Sequence, residues 1–153
     1  MPNYKRHLGA GVIVFILGTY FFIGRYVSIF TAFEWLGFCL LGSLFPDIDT
    51  KSKGQKIFYK ILLFVILYLF LIRHFFEIVL VTILAFIPLI SNHRSVCHNI
   101  WFIMLLALGV IVGGYMVAPD LIHVILYDMI FFVLGAASHI WLDMGIKKLL
   151  RFS

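Results

Sequence analysis

The sequence predicts an all-α membrane protein, with about six transmembrane helices packed in one compact bundle. Three observations carry that expectation. Of 153 residues, 63% are hydrophobic and only 12% charged, and the mean hydropathy is +1.10. A soluble domain of this length has no interior large enough to hide so much apolar surface, so lipid must be part of the solvent. The apolar residues also fall into six stretches of near-spanning length, and the basic residues lie between them with a strong bias to one side, which is how membrane proteins encode orientation.

The stretches follow in order along what reads as a single integral membrane domain, residues 1–153. Leu8 to Gly24 comes after Lys5 and Arg6 and has no small-residue cleavage site behind it, so it reads as a retained helix and not a removed signal. Val27 to Phe45 stops at Pro46. Ile57 to Ile72 and Phe75 to Ile90 are short against the roughly 20 residues of a crossing. As one helix they would be far too long, and "LIRHFFE" (Leu71 to Glu77) places charge at the middle. A tight helical hairpin is the better reading. Ile100 to Ala118 and Leu121 to Asp143 complete the set.

Six alternating crossings with the N-terminus in the cytoplasm leave only Arg25 and Arg73 of the 12 bases outside. Both termini are then cytoplasmic, in a bacterial-type inner membrane. The net charge of +5 reads as orientation and contact with anionic head groups, with membrane lipid and not nucleic acid as the partner. Cys39 and Cys97 are far apart and form neither a disulfide framework nor a CxxC zinc pair.

One stretch departs from this greasy background. "LFPDIDTKSKGQK" (Leu44 to Lys56) gathers two aspartates, three lysines, a Pro, a Gly and a Gln at one bend. The topology places other polar residues beside it. His7 begins the first helix. Asp47 and Asp49 lie in the loop after the second. His93 and His98 lie in "SNHRSVCHN" between the fourth and fifth. His139 and Asp143 lie in "SHIWLD" at the end of the sixth, four residues apart on one helical face. Seven candidate ligands from four segments thus meet at one membrane face, and imidazole with carboxylate suits Zn²⁺, Mn²⁺ or Fe²⁺.

Each piece has a plainer explanation. His7 beside two bases suits an interfacial residue. "PDID" suits a helix stop followed by an N-cap, and loop histidines are common. Cys97 is either a soft ligand or a small packing residue. The joint occurrence on one face is the stronger signal.

The succession "HLGAG", "LGSLFPDIDTKSKGQK", "HRSVCH" and "LGAASHIWLDM" resembles the YdjM-like family of membrane-bound metal-dependent hydrolases over nearly the whole chain. That resemblance implies that His7, Asp47, Asp49, His93, His98, His139 and Asp143 are metal-site residues. The chain departs from the family pattern at Ser95, Cys97 and Asn99, where Gly, Thr and Ser are usual.

Hydrolysis is also suggested by ligand number. Four ligands close a structural zinc site and three leave a catalytic one, so seven suit two ions sharing a carboxylate, as in phosphoryl-transfer sites. Asp47 or Asp49 is then a bridge or a general base. Arg94 is either a fork for a substrate phosphate or a structural partner of Asp47 or Asp49, and Gln55 is a weaker substrate contact. The expected function is metal-dependent hydrolysis of a membrane-proximal phosphoester such as a phospholipid, with one or two divalent ions, Zn²⁺ first. The runner-up is a non-catalytic metal-binding or metal-transport protein. Glu34 and Asp128 stand on the order of 20 Å along their helices from that face. They are expected to be neutral acids bonded to Tyr20, Tyr115 or Tyr127, or Glu34 to be paired with Arg25. A second ion site is the alternative.

Overall fold

Long apolar runs in lipid must satisfy their own backbone, and a helix does so within one segment. The computed structural model describes residues 4–22, 28–48, 53–90 and 97–144, and every element in them is helical. The α-helices are α1 (Tyr4–Phe22), α2 (Ile29–Leu44), α3 (Lys53–Leu71), α4 (Phe75–Ile90), α5 (Ile100–Val117) and α6 (Ile122–Met144). Short 3₁₀ turns at Phe45–Asp47 and Pro119–Leu121 adjoin α2 and α6.

The expected stretches and the helices agree except at polar edges. α1 begins four residues early, at Tyr4, and α3 starts at Lys53 inside the polar bend. Lys, Gln and Tyr are acceptable helix formers at head-group depth, so an apolar boundary is not a helix boundary. Among the described residues, four helical segments are long and apolar enough to cross a membrane: Ile29–Asp47, Lys53–Leu71, Ile100–Val117 and Pro119–Asp143. α1 carries Lys5, Arg6 and His7 in its first turns, and α4 has 16 residues.

The helices alternate in direction. Along α2 and α6, Trp35 stacks on Phe131 with ring centroids 4.8 Å apart, and the Ser43 carbonyl meets His139 at 2.7 Å. The two helices therefore advance together. α1 runs against both, since His7 lies by Asp143, and Gly11 accepts from Cys39 Sγ at 3.3 Å. α3 runs against α2: Gln55 reaches Ile48 and the Tyr68 hydroxyl reaches the Phe30 carbonyl at 3.1 Å.

The α2–α6 pair sits closest. A Cβ on Gly42 would stand 2.0 Å from the Phe132 carbonyl oxygen, and one on Gly135 would stand 2.0 Å from that of Cys39. Only glycine allows backbones this near, the usual device where helices associate without a hydrophobic drive. The core around this crossing includes Phe38, Leu41, Phe45, Phe132 and Ala136. The outer surface is apolar as well. Phe21, Phe64, Leu71, Leu105 and Met116 are each more than half exposed, a distribution that lipid tolerates and water does not.

Candidate metal centre

Pro46, two residues past the end of α2, is the middle residue of the 3₁₀ turn, whose last residue, Asp47, is thereby turned across the end of the bundle. Gln55, one helical turn into α3, donates from Nε2 to the Ile48 carbonyl at 2.9 Å and braces that turn from the far side. His98 stands immediately before α5. Asn99 caps that helix by accepting from the Trp101 amide at 2.9 Å, a standard N-cap that fixes where the chain enters. His139 and Asp143 lie on the last turns of α6, and His7 lies on the first turns of α1.

These residues converge. Ligand atoms of Asp47, His98, His139 and Asp143 all lie within 4.8 Å of one another. His139 Nε2 is 3.2 Å from Asp143 Oδ2 and 3.8 Å from Asp47 Oδ1. His98 Nε2 is also 3.8 Å from Asp47 Oδ1. His7 stacks on His139 with centroids 3.8 Å apart, and its Nε2 is 3.5 Å from Asp143 Oδ1.

The hydrogen bonding decides the tautomer. A carbonyl can only accept, so His139 Nδ1 carries the proton that it gives to Ser43. Nε2 faces the Asp143 and Asp47 carboxylates without a hydrogen-bond partner of its own, and it is the nitrogen free to ligate a cation placed between them. This is the arrangement in which histidines ligate metals, with the other ring nitrogen held by a carbonyl. His7 is wholly buried and neither of its nitrogens has a hydrogen-bond partner. Buried polar atoms are rarely left so. The donor set of two imidazoles and two carboxylates, with a third imidazole beside them, fits Zn²⁺, Mn²⁺ or Fe²⁺. Asp47, His98 and Asp143 reach the surface with side chains 29%, 19% and 19% exposed, so the cluster is open on one side.

Asp49, His93 and Arg94 lie outside the described residues. Cys97 is fully buried in the apolar core and is not in the ligand group. Gln55, expected as a weak substrate contact, supports the Asp47 turn. Its spacing from Ile48 spans a loop, and nothing in the sequence pairs them. Asn99 was legible as a polar residue directly before an apolar run, the ordinary N-cap signal.

A family profile, YdjM inner membrane protein, matches residues 1–148. The chain belongs to the YdjM inner membrane protein family. The match spans all the helices and every one of the candidate ligands. Comparison with curated proteins and with solved structures gives no match.

Asp128 makes none of the tyrosine bonds expected at the opposite end. Tyr20 and Tyr115 point outward, 72% and 64% exposed, and Tyr127 lies against Trp35. Neither oxygen of Asp128 has a hydrogen-bond partner. Arg25, the other expected partner of Glu34, lies outside the described residues.

Proposed function

We propose that this YdjM family member is a metal-dependent hydrolase of the inner membrane, acting on a phosphoester at the lipid head-group level. All six helices cross, and the cluster faces the cytoplasm together with both termini. The observation that supports it most is His139 Nε2, turned toward two carboxylates by the Nδ1–Ser43 bond and without a hydrogen-bond partner.

Asp47, His98, His139 and Asp143 would hold one divalent ion, Zn²⁺ first. His7, on the far side of Asp143, would join Asp49 and His93 in holding a second. A bound ion supplies Lewis acidity and an activated water near neutral pH. Asp47, whose side chain is the most accessible of the four, would serve as general base or as a shared ligand. Arg94 grips the substrate phosphate through two parallel N–H bonds. An apolar groove between Trp101, Leu105 and Leu108 of α5 and Ile130, Val133 and Leu134 of α6 begins three residues beyond His98. It suits an acyl chain whose head group reaches the ligands.

The test measures bound metal and phosphoester hydrolysis side by side in nanodiscs. His139→Ala is expected to lose metal. Arg94→Ala is expected to keep metal and lose most turnover, because a guanidinium cannot ligate a cation but can stabilise developing negative charge. Arg94→Lys should restore part of it, lacking the fork. Loss of metal in Arg94→Ala would make that residue a support of the ligand loop. Normal metal without any hydrolysis would leave a metal-binding or transport protein.

A further inference from the structure

Three acids are buried at the other end of the bundle. Glu34 in the first turns of α2, Glu77 in the first turn of α4 and Asp128 in the first half of α6 are 6%, 2% and 1% exposed. They belong to three different helices, so no single helical pattern accounts for them. Lysine and arginine form no ion pair with any of the three among the described residues. A histidine completes the group. His74 Nδ1 pairs with Glu77 Oε2, and ligand atoms of Glu34, His74 and Glu77 lie within 4.8 Å of one another.

The local structure brings this set together. α3 ends in a paired-bond stop, with the His74 amide on the Leu69 carbonyl at 2.9 Å and the Arg73 amide on that of Phe70 at 3.2 Å. The residue between must turn left-handed, and Arg73 does so at φ 62°. Glycine is the usual occupant of that position. The stop reverses the chain within three residues and presents His74 and Glu77 to the start of α2.

Asp128 supplies an independent observation. Its carboxylate is almost completely enclosed, neither oxygen has a hydrogen-bond partner, and it lies within electrostatic reach of Glu34 and Glu77. Glu34 Oε1 and Glu77 Oε1 are likewise unpartnered. Buried carboxylates in a membrane bundle are costly and are kept where an ion or proton is handled. A hydrogen-bonded network of neutral acids would show its bonds, and the Asp128 oxygens show none.

We propose that Glu34, His74 and Glu77, with the buried Asp128 carboxylate beside them, form a second binding site for a divalent cation, separate from the candidate metal centre. Asp128 and His139 are eleven residues apart on α6, about 16 Å at 1.5 Å per residue. One imidazole with two carboxylates is a first-row transition-metal donor set of the Zn²⁺ or Mn²⁺ kind, and Asp128 adds a third negative charge nearby. A dication offsets two of the three negative charges, and the third acid carries a proton. His74 is the partly exposed member, its side chain 26% accessible, which puts the entrance at the α3–α4 turn.

The experiment uses the whole chain in detergent, stripped of metal and reloaded with Zn²⁺, with bound ions counted by mass spectrometry. In a His139→Ala/Asp143→Ala background, one ion per chain is expected to remain and to disappear when Glu77→Gln is added. Co²⁺ in the same background should give visible ligand-field bands that shift on His74→Gln, because one nitrogen ligand is lost. Helicity by circular dichroism identifies variants that do not fold. Glu77→Gln alone serves in their place, and should remove one ion from the wild-type total. No Zn²⁺ at micromolar concentration in the double variant, or an unchanged total in Glu77→Gln, overturns the second site and leaves the first untouched. Loss of metal in Glu77→Gln with none lost in His139→Ala overturns the first and leaves the second.

Discussion

The proton on His139 Nδ1 is held by the Ser43 carbonyl at 2.7 Å, so the chemistry of the ring is set by a backbone atom on another helix. Gln55 acts similarly at one remove, through the Ile48 carbonyl beside Asp47. Gln55→Ala removes no candidate ligand, yet it frees the turn that aims Asp47. Outer supports of this type typically carry about 10–100-fold in metal affinity. The expected result is a Zn²⁺ dissociation constant raised by about tenfold with stoichiometry unchanged, read by competition with a chromophoric chelator. An unchanged constant would make the Gln55 bond incidental. The convergence of His7, Asp47, His98, His139 and Asp143 was legible because each stands at a helix end and basic residues told those ends apart. The Gln55 bond and the ring stacking of His7 on His139 were not, since both depend on side-chain direction in a packed bundle.

At the level of elements, two backbone features determine how the helices meet. The first is the α2–α6 contact, where a Cβ on Gly135 would lie 2.0 Å from the Cys39 carbonyl oxygen. The obstacle is backbone and cannot rotate away. Gly135→Ala is expected to force the helices apart at a cost of about 3 kcal/mol, the upper range for overpacking. A lower thermal midpoint with metal binding weakened in parallel would show it. Alanine at Gly109, which has nothing within 4 Å, should leave the midpoint nearly unchanged. The second feature is Arg73 in its left-handed turn. Glycine adopts that backbone freely, while an L side chain gives up roughly 1 kcal/mol there. Arg73→Gly should therefore raise the thermal midpoint slightly, unless the guanidinium makes up the difference at the end of α3. The helical hairpin was legible from the charge inside "LIRHFFE". That its charged residues turn inward to meet Glu34 was not. In sequence His74 and Glu77 read as ordinary turn polarity, and only the stop at Arg73 directs them into the bundle.

For the whole molecule, the all-helical architecture followed from hydropathy, since a chain with so little polar surface has few other folds available in lipid. Polar residues at helix starts blurred the boundaries, and four segments among the described residues are long and apolar enough to cross. The proposed six crossings can be checked with reporter fusions at Met1 and Ser153, both expected to report the cytoplasm. Opposite readings would remove one crossing and put the N-terminal His7 on the wrong side for its neighbours.

The glycine contact also has a mechanical consequence. α2 and α6 touch near Gly42 and Gly135, which is not midway between the two polar clusters. Gly42 is five residues from Asp47 and eight from Glu34. Gly135 is four from His139 and seven from Asp128. At 1.5 Å per residue the arms are about 7 Å on one side and about 11 Å on the other. As in scissors hinged off-centre, any rocking about that contact would displace Glu34 and Asp128 by more than half as much again as Asp47 and His139.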